Sequence, residues 1–249
     1  RGDNPDNWSF FKKSWKIKFR KKNIPGKIRE FSYEIPGASS DYFGLKFLSS
    51  YFLSKAYGLP TPQFRFIELH INGVNHGYYY EIEDIDESFL RNNNLMPVNI
   101  YKGENYYVET SLGLDNKLFN NSGLWKKISY FNQSQPSDYS DLENHLKQLS
   151  FFEGKNITSG EFFNYFPPEI WAKFILSGAG VHGTNYHNQR LFIDPWSGWA
   201  IPIIKDPNYG KSLSIDDIIY STDNSLDRLE RLLNLDPYFI YKKYLIYHE

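Results

Sequence analysis

Two short apolar runs, residues 189–193 and 199–204, flank the turn sequence Asp194-Pro195-Trp196-Ser197-Gly198. Runs of that length around a proline- and glycine-bearing turn fold back as a β-hairpin. This hairpin constrains the fold, because it holds Asn188 at one end and Asp206 just past the other. An amide and a carboxylate brought together in this way suit a hard cation such as Mg²⁺ carrying a phosphate. His182, His187 and Asp194 add further polar groups to the same segment, residues 181–210.

A chain of 249 residues with 41% hydrophobic content can bury a real core, as one large domain or two closely packed lobes. A net charge of −1 gives no reason to expect nucleic acid or an anionic membrane as partner, although basic residues cluster between Lys12 and Arg29. The absence of cysteine excludes disulfides, thiolate metal sites and a cysteine nucleophile. No run approaches the roughly 20 apolar residues of a membrane span. The chain opens on Arg1 rather than Met, so the lack of a signal-peptide pattern says nothing of its compartment.

The first half reads mainly as strands. Residues 14–19 alternate, with Trp15, Ile17 and Phe19 on one face and Lys16 and Lys18 on the other. A second strand is expected at 31–35, and a helix bearing Leu45, Leu48 and Phe52 on one face, closed by Gly58 and Pro60. Residues 64–71 and 77–83 form a hairpin around Asn72-Gly73. A short helix at 88–92 and a strand at 98–102 follow. Residues 112–139, rich in Asn, Ser and Gly, read as loop. Helices are expected at 141–149, with Ser140 and Glu143 at capping-box spacing, then at 159–165, 168–177 and 225–233, with a further segment at 215–220. The plan is α+β: a strand-rich nucleotide-binding lobe over 1–111, a linker over 112–139, and a helical lobe with the metal-binding hairpin over 140–249. Protein kinases hold Mg²⁺ with an Asn and an Asp of the larger lobe, so a nucleotide phosphotransferase is the chemistry to expect.

The ordered motifs resemble those of the spore-coat CotH kinase-like family, in particular a branch of uncharacterised bacterial members with a His in the catalytic segment. The likeness is carried by Arg1-Gly2-Asp3, the Lys12-Lys13-Ser14-Trp15-Lys16-Ile17-Lys18 strand, the segment FRFIELHINGVNHGYYYEIE from Phe64 to Glu83, and Tyr101-Lys102. His187-Asn188, Asp194-Pro195, Gly198, Pro202, Asp206 and Gly210 extend it to about residue 210. The resemblance implies a two-lobed, protein-kinase-like fold that binds ATP with Mg²⁺ or Mn²⁺ and phosphorylates a protein. It implies phosphate contacts from Lys12, Lys16 and Lys18, Glu83 at the hinge near the adenine, and Asn188 and Asp206 on the metal.

Departures from a kinase are equally plain. A kinase keeps its base Asp five residues before the metal Asn, and here that position is Gly183. His182 is the nearest substitute, with a reference pKa suited to orienting or deprotonating a hydroxyl. Its competing role is to anchor a glycine-rich loop. Ile204 stands where a carboxylate usually precedes the metal Asp, and no glutamate occurs between Asp41 and Leu59 to pair with an ATP lysine.

Three functions follow from these residues. The first is transfer of phosphate to a Ser/Thr hydroxyl of a protein, or to a glycan. The second is a catalytically impaired pseudokinase or scaffold of the cell envelope that binds nucleotide or a partner protein. The third, suggested only by 20 Tyr and 20 Phe, is a carbohydrate-binding module. The bacterial envelope or exterior is the favoured compartment.

Overall fold

The alternation at residues 14–19 becomes β1 (Trp15–Lys18), antiparallel to β2 (Glu30–Glu34), with Lys16 opposite Ser32 and Lys18 opposite Glu30. A computed structural model describes this chain over residues 12–20, 28–35, 45–104, 118–129, 137–179, 188–207 and 228–249. Helix α1 (Leu45–Ala56) follows and stops at Gly58, whose φ of 74° favours a residue without Cβ. Strands β3 (Phe64–Ile71) and β4 (Val74–Glu83) meet at Asn72 and Gly73, with φ of 51° and 79°. Two positive φ values in a two-residue loop match the strand twist, so the hairpin signal was sound. The first sheet runs β1-β2-β4-β3, all antiparallel.

Register assigns the two faces of this sheet. Lys16, Lys18, Glu30, Ser32, Glu34, Tyr80 and Ile82 share one face, because each pairs across the ladder with another of the set. Tyr51 of α1 joins Tyr80 and Ile82 in the main core, and its ring lies 5.0 Å from Phe64. The opposite face buries a smaller cluster around Tyr33, Leu69 and Tyr79.

Asp86 caps α2 (Glu87–Asn92) by accepting from the backbone N–H groups of Ser88 and Phe89. Strands β5 (Ile100–Gly103) and β6 (Trp125–Ser129) come next. Strand β6 and two 3₁₀ turns, Leu118–Asn120 and Ser122–Leu124, occupy part of the stretch expected to be loop. The run WKKIS alternates and buries Trp125, Lys127 and Ser129, a pattern that the surrounding Asn and Ser residues mask. Helices α3 (Ser140–Glu153), α4 (Ser159–Phe163) and α5 (Pro168–Phe174) follow. Ser140 and Glu143 do not form a capping box; the N-cap of α3 is Tyr139, and the box belongs to Thr158 and Glu161 at α4. Helix α5 passes into a π turn, Ile175–Ala179, where Gly178 has φ 85°.

Strands β7 (Arg190–Ile193) and β8 (Ala200–Pro202) complete a second antiparallel sheet, ordered β6-β5-β7-β8. Strand β5 therefore pairs with β6 and β7, although it precedes the boundary expected at residue 111. Helix α6 (Arg228–Asn234) is the described part of the helix expected over 225–233, and α7 (Pro237–His248), capped by Asp236, was not foreseen. The segment at 215–220 lies outside the described residues. The architecture is α+β. One core takes Tyr51, Tyr80 and Ile82 from the first sheet and α1, Leu191 and Ala200 from the second, and Leu149, Phe162, Trp171 and Phe239 from the helices. Each such side chain contributes about 1.5–3 kcal/mol by leaving water.

Candidate functional site

The hairpin at the site is pinned from below. In its turn, Asp194 accepts from Ser197 N–H and Oγ, and Gly198 takes φ 73°. Trp171 Nε1 donates to Ala200 O at 3.0 Å, Ala200 N–H donates to Tyr165 O at 2.8 Å, and His145 Nε2 lies 2.8 Å from Gly198 O. Leu191 pairs with Pro202, and Ile203 N–H donates to Arg190 O at 2.9 Å, so the ladder runs on past β8. Asn188 precedes β7 and Asp206 follows β8, at the same end of the ladder. The amide and the Asp206 carboxylate thus belong to one end of one hairpin. On the other edge of β7, Gly103 N–H donates to Gln189 O at 3.1 Å, which brings Glu104 to the same end.

Asp206 has φ 48°, a left-handed backbone that Asp tolerates better than most residues. The residue before it, Lys205, places Nζ 3.1 Å from Glu34 Oε1 on β2. Burial lowers the Lys205 pKa, but Glu34, Tyr51, Asp206 and Asp84 together hold it above the ordinary lysine value. Tyr51, wholly buried, feels Lys205 and the carboxylates of Glu34 and Asp206, and the Asp206 backbone N–H acts on its hydroxyl. Burial is the largest influence there and pushes its pKa up. Arg190, also buried, is brought down to about 10 by burial, against the opposing pull of Asp84, Glu104 and Asp206.

The β1 lysines join this group through Asp84, the residue after β4. Lys16 Nζ lies 2.5 Å from Asp84 Oδ2 and 2.6 Å from Glu30 Oε1, and Lys18 Nζ lies 2.7 Å from Glu30 Oε2. Burial lowers the Lys16 pKa, yet these two carboxylates leave it raised. Lys12 is elsewhere. Its ammonium donates to Tyr78 O at 2.5 Å and sits 4.3 Å over the Tyr79 ring. Tyr78 and Asp84 are six steps apart along β4 and just past its end, about 20 Å at strand rise. Glu83 is buried among structural partners, accepting from Gln63 N–H at 3.0 Å and Asn92 Nδ2 at 2.6 Å. Burial pushes its pKa up, and those two bonds oppose the rise.

Asn188 lies just before β7. Of the other residues expected from sequence, Lys16 pairs with Asp84, Lys18 is linked to it through Glu30, and Asp206 acts with Asp84 on Lys205 and Arg190, a charged group of both signs. Lys12 is not brought to it, and His182 and His187 lie outside the described residues. Among the described residues, no three His, Asp or Glu side chains gather as a metal site. Sequence reasoning missed Glu30, Glu34, Tyr51, Asp84, Arg190 and Lys205. The Glu30-x-Ser32-x-Glu34 alternation carried a signal, since it puts two carboxylates on the face of Lys16 and Lys18. Tyr51 carried none, being one of 20 tyrosines.

The family model described as CotH kinase protein matches residues 1–167. The chain belongs to the CotH kinase family. No curated protein matches it. The match takes in β1, β2, α1, β3, β4 and β5, with Lys16, Lys18, Glu34, Tyr51 and Asp84 among them. It ends before Asn188 and Asp206. Kinase-like activity is the chemistry associated with this family, and no helix among the described residues is long and apolar enough to cross a membrane.

Proposed function

We propose that this chain binds ATP with Mg²⁺ or Mn²⁺ between a strand-rich lobe and a helical lobe. It then transfers the γ-phosphoryl group to a Ser/Thr hydroxyl of a protein, or to a glycan, in the bacterial envelope or outside the cell. The observation that carries this reading is that Lys16 and Lys18 share Glu30, and that Lys16 also pairs with Asp84, whose charge acts with that of Asp206 on both Arg190 and Lys205. Phosphoryl transfer needs positioned charge more than covalent chemistry from the protein. Four cations near one carboxylate-bearing hairpin supply it. The donor set also fits the cation: Mg²⁺ is commonly held by one or two carboxylates with substrate phosphates, not by a protein cage. Asp206 and Asn188 would hold it, and the bound ion would neutralise the β- and γ-phosphate oxygens.

Each remaining role belongs to the chain. Lys16, Lys18 and Arg190 bind phosphate oxygens, and Arg190 suits them because its guanidinium offers a fork of donors. His182 takes the proton of the acceptor hydroxyl as that oxygen bonds to the γ-phosphorus, while the bond from phosphorus to the β-γ bridging oxygen breaks and ADP leaves. Glu83 completes the nucleotide contacts in this reading, although it has structural partners, whereas Lys12, held at Tyr78 and Tyr79, takes no part. Calorimetry with ATP and Mg²⁺ on wild type and Asp206→Asn tests the proposal. Metal-dependent binding lost in the variant supports it, and binding unaltered in the variant counts against it.

A second reading has its own observation. Lys16 and Lys18 are already engaged by Glu30 and Asp84, and α1 carries no glutamate, a pattern compatible with a pseudokinase or scaffold that binds nucleotide or a partner protein. Radiolabel transfer from ATP, with His182→Ala as control, separates the two: a scaffold shows no transfer and is indifferent to the substitution.

A further inference from the structure

A kinase-like site needs something to hold its metal-bearing aspartate, and α1 brings Tyr51 to it where a helix carboxylate is lacking. We propose that Tyr51 and the Glu34–Lys205 ion pair are positioning residues, which fix the backbone of Asp206 so that its carboxylate faces the cation. This rests on the reading of Asp206 as a metal ligand.

Three observations converge. Asp206 has positive φ, and such backbone persists in a non-glycine residue only when its surroundings enforce it. The other described non-glycine residues with positive φ are Asn72, Asn94 and Lys155. The first closes a hairpin, and the others follow the ends of α2 and α3. Asp206 instead follows a strand, so the constraint must come from the residues packed around it. Its immediate neighbour, Lys205, is tied at 3.1 Å to Glu34, a residue 171 positions away on the other sheet. Tyr51 is fully buried in the main core, where the Lys205, Glu34 and Asp206 charges and the Asp206 backbone N–H all act on its hydroxyl. A carboxylate from β2 thus holds the lysine that precedes Asp206, and a phenol from α1 shares their electrostatic surroundings. The arrangement ties α1 and the first sheet to the metal-bearing end of the hairpin, the coupling that a helix glutamate and an ATP lysine give other kinases.

The test measures nucleotide affinity of the whole chain by calorimetry, using a non-hydrolysable ATP analogue over a range of Mg²⁺ and Mn²⁺ concentrations. The variants are Tyr51→Phe, Glu34→Gln and Lys205→Met, with Lys205→Arg as the conservative control. Partners that orient a metal ligand are worth about 10–100-fold in metal affinity. Tyr51→Phe, Glu34→Gln and Lys205→Met should therefore raise the half-saturating metal concentration about tenfold or more. Tyr51→Phe and Glu34→Gln should leave metal-free affinity for the analogue within about twofold, whereas Lys205→Met also removes a cation, and Lys205→Arg should restore most of its loss. A merely structural role would lower both affinities together. Folded variants with wild-type metal dependence overturn the proposal, and Glu34→Gln alone decides it if the core change at Tyr51 unfolds the chain. Wild type that shows no metal-dependent binding removes the proposed function and this proposal with it, a result read before any variant is made.

Discussion

Glu30 Oε1 lies 2.6 Å from Lys16 Nζ, while its second oxygen lies 2.7 Å from Lys18 Nζ. One carboxylate on β2 therefore spaces both lysines of β1 on the face that looks toward Asp84. In the proposed function, a phosphate would have to draw both lysines from this carboxylate. The pairing also ties the stability of the first sheet to acid.

Burial pushes the Glu30 carboxyl up, but the two lysines overcome it and lower its pKa from 4.5 to about 2. A depressed folded-state value means that the unfolded chain takes up the proton first. The stability from this group is complete above about pH 4.5 and is lost as pH falls toward about 2. Thermal melts of wild type between about pH 5 and pH 2 should show this loss. Glu30→Gln should flatten that part of the profile. An equally steep acid limb in the variant would mean that Glu30 is not its source.

The opposite limb has a different owner. Lys243 on α7 is fully buried, donates to Asn234 Oδ1 at 2.6 Å, and lies 5.7 Å from the centroid of the Phe239 ring. Burial, only partly offset by Glu230, lowers its pKa from 10.5 to about 8. Between those values the unfolded chain holds a proton that the folded chain has released, so stability rises with pH from about 8 to about 10.5 on this account. Chemical denaturation across that range should show the rise, and Lys243→Met should abolish it. A rise that survives in the variant assigns the effect to another group.

Much of the fold was legible because local chemistry decided it. Asn72-Gly73 had only one economical turn to make, and Gly58 could only end a helix. The β7–β8 hairpin followed from its turn for the same reason. Strand β6 was hidden, since Trp125 and Lys127 are buried by pairing with β5, a partner some 25 residues earlier in sequence. The site was half legible. Lys16, Lys18, Asn188 and Asp206 carry functional groups in recognisable local patterns. Arg190, Tyr51 and Glu34 acquire meaning only when two sheets and a helix meet, which no local pattern records. Glu83 shows the converse, since a motif position can be filled by a carboxylate whose visible partners are Gln63 and Asn92.

Gln189 offers a test of whether the site has a further occupant. Its side chain is wholly buried, and Nε2 donates to Arg190 O at 3.1 Å, yet Oε1 has no hydrogen-bond partner among the described residues. An orphaned buried acceptor costs about 1–3 kcal/mol. Arg190 O retains the Ile203 N–H if the amide is lost. Gln189→Met should therefore hold or raise the melting temperature of the nucleotide-free protein. A clear fall in melting temperature would mean that Oε1 is satisfied in solution, and a fall confined to the nucleotide-bound form would assign that partner to the ligand.

The backbone of Asp206 determines which substitution reports on its carboxylate. Alanine removes the charge but also meets the left-handed conformation, at a cost of about 1–2 kcal/mol. Glycine removes the charge and relaxes the same conformation, and asparagine keeps both the shape and the tolerance for positive φ. Folding stability should rank Ala below Asn and Gly, by about 1 kcal/mol in denaturant titrations. All three should lose the metal-dependent part of ATP binding. Metal-free affinity should hold or improve, because Lys205 and Arg190 no longer share their charge with a carboxylate while the triphosphate meets one negative group fewer. If Asp206→Asn binds metal and nucleotide as wild type does, Asp206 is a turn residue before Pro207 and the cation lies elsewhere. If alanine alone is impaired, the position acts through its backbone and not through its carboxylate.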